Sequence, residues 1–253
     1  MARRISVEIE FEHDKLTREQ LKVLRAAFRR KYSDIRFMPD LSLANTGIEL
    51  STQLSQVNSL KGACKKLQIL GFHFTHRCGL HLHVDLSDNL TLSFIKKVFS
   101  NIIKVQESMD PDMRRKLCSI HHRFFPRSVI KEITKQKSIP NVFKTYVNEL
   151  SGYTVIKNQQ DFKNSLVKKV ATHSMWIDLA PWFRKVFNKP MTLPSGRLIG
   201  GYGSIEIRGP ITYDLMSEAN IDLWGNVKKT IMKNLLIIEE IIGFKILNVK
   251  EFK

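Results

Sequence analysis

Cysteine is scarce in this chain: Cys64, Cys78 and Cys118 are the only three in 253 residues, and none forms a Cys-x-x-Cys pair. An odd, scattered set argues against both a disulfide framework and a thiolate zinc site, and fits a reducing compartment. No run of 18 uncharged apolar residues is present, so no transmembrane helix is expected. The stretch "MARRISVEIEFEHD" passes from two arginines straight into an alternating segment, with no apolar stretch of signal-peptide length. A Gly-x-x-x-x-Gly-Lys-Ser/Thr run is also missing, which removes the P-loop as a route to nucleotide. Internal repeats and low-complexity tracts are absent. Together these absences predict a soluble, cytoplasmic protein with no membrane partner.

Acidic residues are the other shortage. Asp and Glu number 24 against 41 Lys and Arg, for a formal charge of +17. The imbalance is concentrated between Met113 and Lys169, where 13 basic residues face Glu132, Glu149 and Asp161. Such a stretch attracts nucleic acid or an acidic polypeptide, or is simply a solvated face, and composition alone leaves both open. At 43% hydrophobic the chain can bury a full core. The expectation is one domain over residues 1–253, with a basic helical insertion at about 110–172.

In "ISVEIEFE", Ile5, Val7, Ile9 and Phe11 alternate with Ser6, Glu8, Glu10 and Glu12, the period of a half-buried strand. Thr17 and Gln20 have the spacing of a capping box and open a helix whose stripe is Leu21, Leu24, Ala27 and Phe28. "TGIELST" predicts a second strand, and a helical recurrence from Leu54 runs to Gly71. "CGLHLHVD" predicts a third strand, and "TLSFIKKVFSNIIKVQESM" a helix. The basic stretch predicts short helices broken at Pro126 and Pro140. "KPMTLPSGRLIGGYG" predicts a loop leading to the strand "SIEIR", and a long helix follows from about Asp214 to Ile242. Strands mixed irregularly with helices predict an α+β fold with a largely antiparallel sheet, one face covered by helices and the other polar.

Side chains two apart on a strand share a face, about 6.5–7 Å from one another. Glu8, Glu10 and Glu12 therefore form an acidic row, His81 and His83 a pair extended by Asp85, and Glu206 and Arg208 another pair, while Glu49 stands alone on its strand. Taken singly, each has a plain alternative: a solvated face for the glutamates, structural hydrogen bonds for the histidines, a cross-strand ion pair for Glu206 and Arg208. What they share is parity, since all lie opposite the apolar residues of their strands. Neighbouring carboxylates repel unless a cation sits among them, and carboxylate oxygens with imidazoles suit a divalent metal.

In order and spacing, "VEIEFE", "DLSLANTGIEL", "CGLHLHVD" and "YGSIEIR" followed by a long helix resemble the amidoligases of the glutamine synthetase-like, carboxylate–amine ligase superfamily. That family shows a Gly-x-Glu-x-Glu strand, an Asp-x-Ser segment leading to a Gly-x-Glu strand, a Gly-x-His-x-His strand and a Gly-Thr-x-Glu-x-Arg strand. The match spans about residues 5–240. The resemblance implies a curved, largely antiparallel sheet with helices on its convex face, and ATP with Mg²⁺ (or Mn²⁺) on its concave face. By its motifs Glu8, His81 and Glu206 hold the metal that bridges the ATP phosphates, and Glu10 and Glu49 hold a second. His83 approaches a phosphate, and Arg208 stabilises the transferring phosphoryl group. Asp40 and Ser42 match the Asp-x-Ser segment. Three positions depart from the family pattern without removing a ligand: Ser6 for glycine, Ser51-Thr52 for Ser-Pro, and Ser204 for threonine.

The implied activity is an ATP-dependent amide-bond-forming ligase acting on a carboxylate and an amine through an acyl phosphate, with a polyanionic acceptor prompted by the charge. A carboxylate oxygen is a poor leaving group until phosphorylated, and metal ions with a bidentate arginine neutralise the crowded oxygens of that transfer. The alternatives are a metal-dependent phosphoesterase or nuclease and a non-catalytic nucleic-acid-binding protein. Further candidates are Arg123 with His121, His122 and Arg127 as phosphate contacts, Tyr146 and Asn148 as residues facing the site, and "IGGYG" as a lid or a turn, the turn being the more economical. Trp176, Trp182 and Phe183 are expected in packing. Oligomeric state is not legible.

Overall fold

A computed structural model describes residues 5–40, 47–75, 78–89, 91–111, 124–150, 176–179, 182–183, 191–192, 198–199, 203–208 and 223–246. They form a mixed fold of strands and helices in two compact units. The first unit takes the described residues of 4–83 and 208–234, the second those of 84–207 and 235–253.

The first unit begins with β1 (Ile5–Phe11), where burial alternates residue by residue and Val7, Ile9 and Phe11 are fully buried. α1 (Arg18–Lys31) starts at the expected capping box: the Gln20 N–H donates to Thr17 Oγ1 and the Thr17 N–H to Gln20 Oε1. It packs beside β2 (Arg36–Asp40), a strand the sequence did not reveal. β2 is short and contains Pro39, which a strand tolerates at a sheet edge, where its missing N–H faces no partner. β3 (Gly47–Gln53) pairs antiparallel with both β2 and β1. A 3₁₀ turn (Leu54–Gln56) leads into α2 (Val57–Ile69), whose Leu60, Ala63, Cys64 and Leu67 are fully buried. Gly71, at φ +86°, closes this helix. β4 (Leu80–Asp85) contributes Leu80–His83 to this unit, where the strand order is β2-β3-β1-β4.

In the second unit the end of β4 is followed by α3 (Leu92–Ser108), with Thr91 as N-cap, and by α4 (Arg127–Lys135) and α5 (Ile139–Leu150) from the basic stretch. Pro126 stands at the start of α4 as expected. Pro140 does not break a helix: Ser138 Oγ caps α5 by accepting the Asn141 N–H, and Pro140 sits in the first turn, where its N–H has no intrahelical acceptor to miss. β5 (Ile177–Asp178) pairs antiparallel with β8 (Ser204–Arg208), and the order here is β4-β8-β5. The expected loop at 189–203 carries an antiparallel pair, β6 (Met191–Thr192) with β7 (Leu198–Ile199), too short to show a period in sequence. α6 (Leu223–Ile242) falls within the expected long helix, with Leu223–Asn234 in the first unit and Leu235–Ile242 in the second; the expected start at about Asp214 lies outside the described residues. Among the described residues no helix is long and apolar enough to cross a membrane.

The second unit is organised around an aromatic cluster. Phe99, Phe125, Phe143, Tyr146 and Phe183 meet with ring centroids 5.0–6.4 Å apart, the range of favourable offset and edge-to-face pairs. Tyr146 is therefore a core residue and its hydroxyl accepts the Leu179 N–H at 3.4 Å. Trp176, Trp182 and Phe183 are fully buried, as expected. One polar side chain, Gln106 of α3, threads this apolar region. Its Nε2 donates to Phe125 O at 3.1 Å, and its Oε1 accepts from Phe125 N (2.9 Å) and Trp176 Nε1 (2.8 Å). Three distant segments are thus tied by one amide. Replacing Gln106 by Leu leaves buried donors and an acceptor unmatched, and is expected to cost at least ~2 kcal/mol, read as a lowered urea midpoint. An unchanged midpoint would show that the amide ties nothing.

Candidate functional site

The polar face of the first unit follows from the apolar one. With Ile5, Val7, Ile9 and Phe11 of β1 and Ile48 and Leu50 of β3 buried, the intervening residues must project from the opposite side. The β1–β3 register then sets Glu10 opposite Glu49, and Glu8 opposite Ser51. Directly opposed residues of an antiparallel pair have Cβ atoms about 4.5–5.5 Å apart, and diagonal ones remain within reach. Glu8, Glu10 and Glu49 are all half-buried and form one carboxylate group across two strands. Met38 of β2 faces Glu49 from its other side.

β4 brings the imidazoles. Its polar positions, His81 and His83, alternate with buried Leu80 and Leu82. His83 Nε2 lies 3.1 Å and His81 Nδ1 3.8 Å from the same oxygen, Glu8 Oε2, with side-chain exposures of 17%, 12% and 25%. Burial pulls the Glu8 carboxyl upward, but the two imidazoles beside it, the charge of His83 foremost, outweigh it and hold the group well below the usual carboxylate range. A carboxylate depressed in this way stabilises the fold above its ordinary pKa, and that contribution is lost as pH falls through the depressed value.

Gly79 explains how the rings fit. The Glu10 N–H donates to Gly79 O at 2.9 Å, and Glu10 Oε2 accepts the Gly79 N–H. A Cβ on residue 79 would overlap His81 Nε2 and stand 3.0 Å from Glu10 Oε2. The glycine two places before the first histidine is thus the space into which that imidazole folds. Its steric role was not read from the sequence, although its position in the Gly-x-His-x-His pattern was the available signal.

The expected site residues fall as follows. Glu8, Glu10, Glu49, His81 and His83 come together in the first unit. Glu206, 4% exposed, lies on β8 in the second unit, opposite Asp178 of β5. Arg208 ends β8, with its side chain outside the described residues, as is that of Asp40 at the end of β2. Ser42, His121, His122 and Arg123 lie outside them altogether. Glu12, third in the row, is 4% exposed and forms a backbone bridge with His73 beyond the end of β1. Asp85 accepts the Ser87 N–H at 2.8 Å and so shapes the turn after β4. Of "IGGYG" only Ile199, the end of β7, and Gly203 are described, the Gly203 carbonyl accepting the Leu86 N–H at 2.8 Å. Arg127 pairs with Glu107 and Lys135 with Glu132, so part of the basic stretch's charge is compensated locally.

Chemically, Glu8, Glu10 and Glu49 offer hard oxygen donors and His81 and His83 offer nitrogen donors. This set suits Mg²⁺ or Mn²⁺, the imidazoles favouring the latter. No family model and no curated protein sequence matches the chain. The geometry predicts that Gly79→Ala, which would displace the His81 ring and disturb the Glu10 acceptor, destabilises by ~1–3 kcal/mol. It should also weaken Mn²⁺ binding, followed by titration of the ion. A variant that keeps both stability and Mn²⁺ affinity would overturn this account of the glycine.

Proposed function

We propose that the protein is an ATP- and Mg²⁺-dependent carboxylate–amine ligase of the glutamine synthetase-like kind, working on a curved sheet face. The observation that carries this reading is Glu8, its carboxylate shared by two imidazoles on one polar face with the opposed pair Glu10 and Glu49. Opposed carboxylates repel one another modestly, and a divalent cation bound between them turns that repulsion into attraction. In this reading Glu8 and His81 would hold one ion, and Glu10 and Glu49 another. The bound ions supply neutralisation of the ATP phosphate oxygens and of the carboxylate substrate.

The remaining steps belong to the chain's own groups. In this reading His83, whose Nε2 lies 3.1 Å from Glu8 Oε2, would donate to a phosphate oxygen. Arg208 supplies planar, bidentate donors where charge develops as the γ-phosphoryl group passes to the substrate carboxylate. The amine then attacks the acyl phosphate and phosphate leaves. A half-buried face limits water, which would otherwise hydrolyse the acyl phosphate.

Isothermal titration of a non-hydrolysable ATP analogue with Mg²⁺ or Mn²⁺ tests the reading. Wild type should bind in a metal-dependent manner, and Glu8→Ala and His81→Ala should each weaken binding by at least about tenfold. No nucleotide binding by folded wild type would sink it. Mn²⁺-dependent cleavage of a phosphodiester without ATP would move the same residues to hydrolysis by metal-bound water.

A further inference from the structure

The outer face of α1 is unusual for an exposed helix. Leu16, Val23, Leu24 and Ala27, with Leu70 just beyond α2, line an apolar groove of about 500 Å³ in the first unit. Val23 is 72% exposed, and neighbouring Ile69 is 77% exposed. Gln20, Val23, Leu24 and Ala27 follow helical spacing, so the apolar stripe runs lengthwise along the helix. The next positions on that stripe are Arg30 and Lys31, both exposed, while Lys22 pairs with Glu19 at 3.9 Å. Six of the 14 residues of α1 are basic and one, Glu19, is acidic.

We propose that this groove is a docking site for an acidic amphipathic helix of a protein partner. Three features select that occupant. The groove is concave and as long as a few helical turns, which fits a helix laid along it with anchors at i, i+4 and i+7. Its C-terminal end is basic, so carboxylates beside those anchors would meet Arg30 and Lys31. The groove is lined by aliphatic side chains with Glu19 and Gln20 and has no large aromatic, so a bilayer would gain no interfacial anchor there, which disfavours a lipid surface. A second copy of the chain would set Arg30 and Lys31 against the same charges and is disfavoured for that reason.

The test uses the full chain and a fluorescein-labelled peptide of about 15 residues, long enough to form a helix on binding. The peptide is rich in Glu with Leu at i, i+4, i+7 and i+11, and a scrambled peptide of the same composition is the control. By fluorescence anisotropy the patterned peptide should bind at least about tenfold more tightly than the scrambled one. Val23→Asp and Ala27→Asp should each remove most of that binding, and Arg30→Glu with Lys31→Glu should weaken it severalfold. Val23 is exposed, so its substitution is expected to leave the urea midpoint unchanged; Ala27→Asp serves if it does not. Equal binding of the two peptides, or patterned binding indifferent to both groove substitutions, would overturn the proposal. So would binding to phosphatidylserine vesicles, or self-association by sedimentation, that Val23→Asp abolishes while leaving peptide binding intact.

Discussion

The polar face depends on one constraint, the register of β1 against β3. Val7, Ile9, Ile48 and Leu50 are fully buried, and a slip of a single residue would turn them outward and the glutamates inward. Burying four aliphatic side chains is worth several kcal/mol, whereas opposing Glu10 to Glu49 costs roughly a tenth of that. Hydrophobic burial therefore wins, and the carboxylates are held together by a force that has nothing to do with them. An arrangement imposed in this way is available for binding a cation without reorganising the strand.

The same logic explains the economy of β4. Leu80 and Leu82 anchor the strand, His81 and His83 are carried along at the alternate positions, and Gly79 leaves room for the first imidazole to fold back. Two rings then converge on one oxygen of Glu8. Their closeness keeps that carboxylate ionised against the pull of burial, and an ionised carboxylate is the state a metal requires. The second unit solves a different problem, that of ordering part of a strongly basic segment. It does so with an aromatic cluster and the three hydrogen bonds of Gln106, which draw α3, the chain before α4 and Trp176 together.

Much of this was legible in advance where a local period repeats. β1, β3, β4 and β8 carry alternation over five or more residues, and α1 carries both a capping box and a stripe. What escaped lacked a period: β2 is five residues with a proline, and β5, β6 and β7 are two residues each. Pro140 misled because a proline is tolerated in a first turn but not deeper, and its depth was set by Ser138 as cap. Tyr146 carries a hydroxyl suited to a site, yet the surrounding rings claim it.

Within the candidate site, the sequence by itself determined which residues share a face and which donor atoms they bring, because side-chain parity is a property of the extended backbone alone. Which carboxylate opposes which, and that both imidazoles reach Glu8, was decided only by the tertiary structure. Cross-strand register is set by the packing of apolar residues distant in the chain, and no local pattern records it.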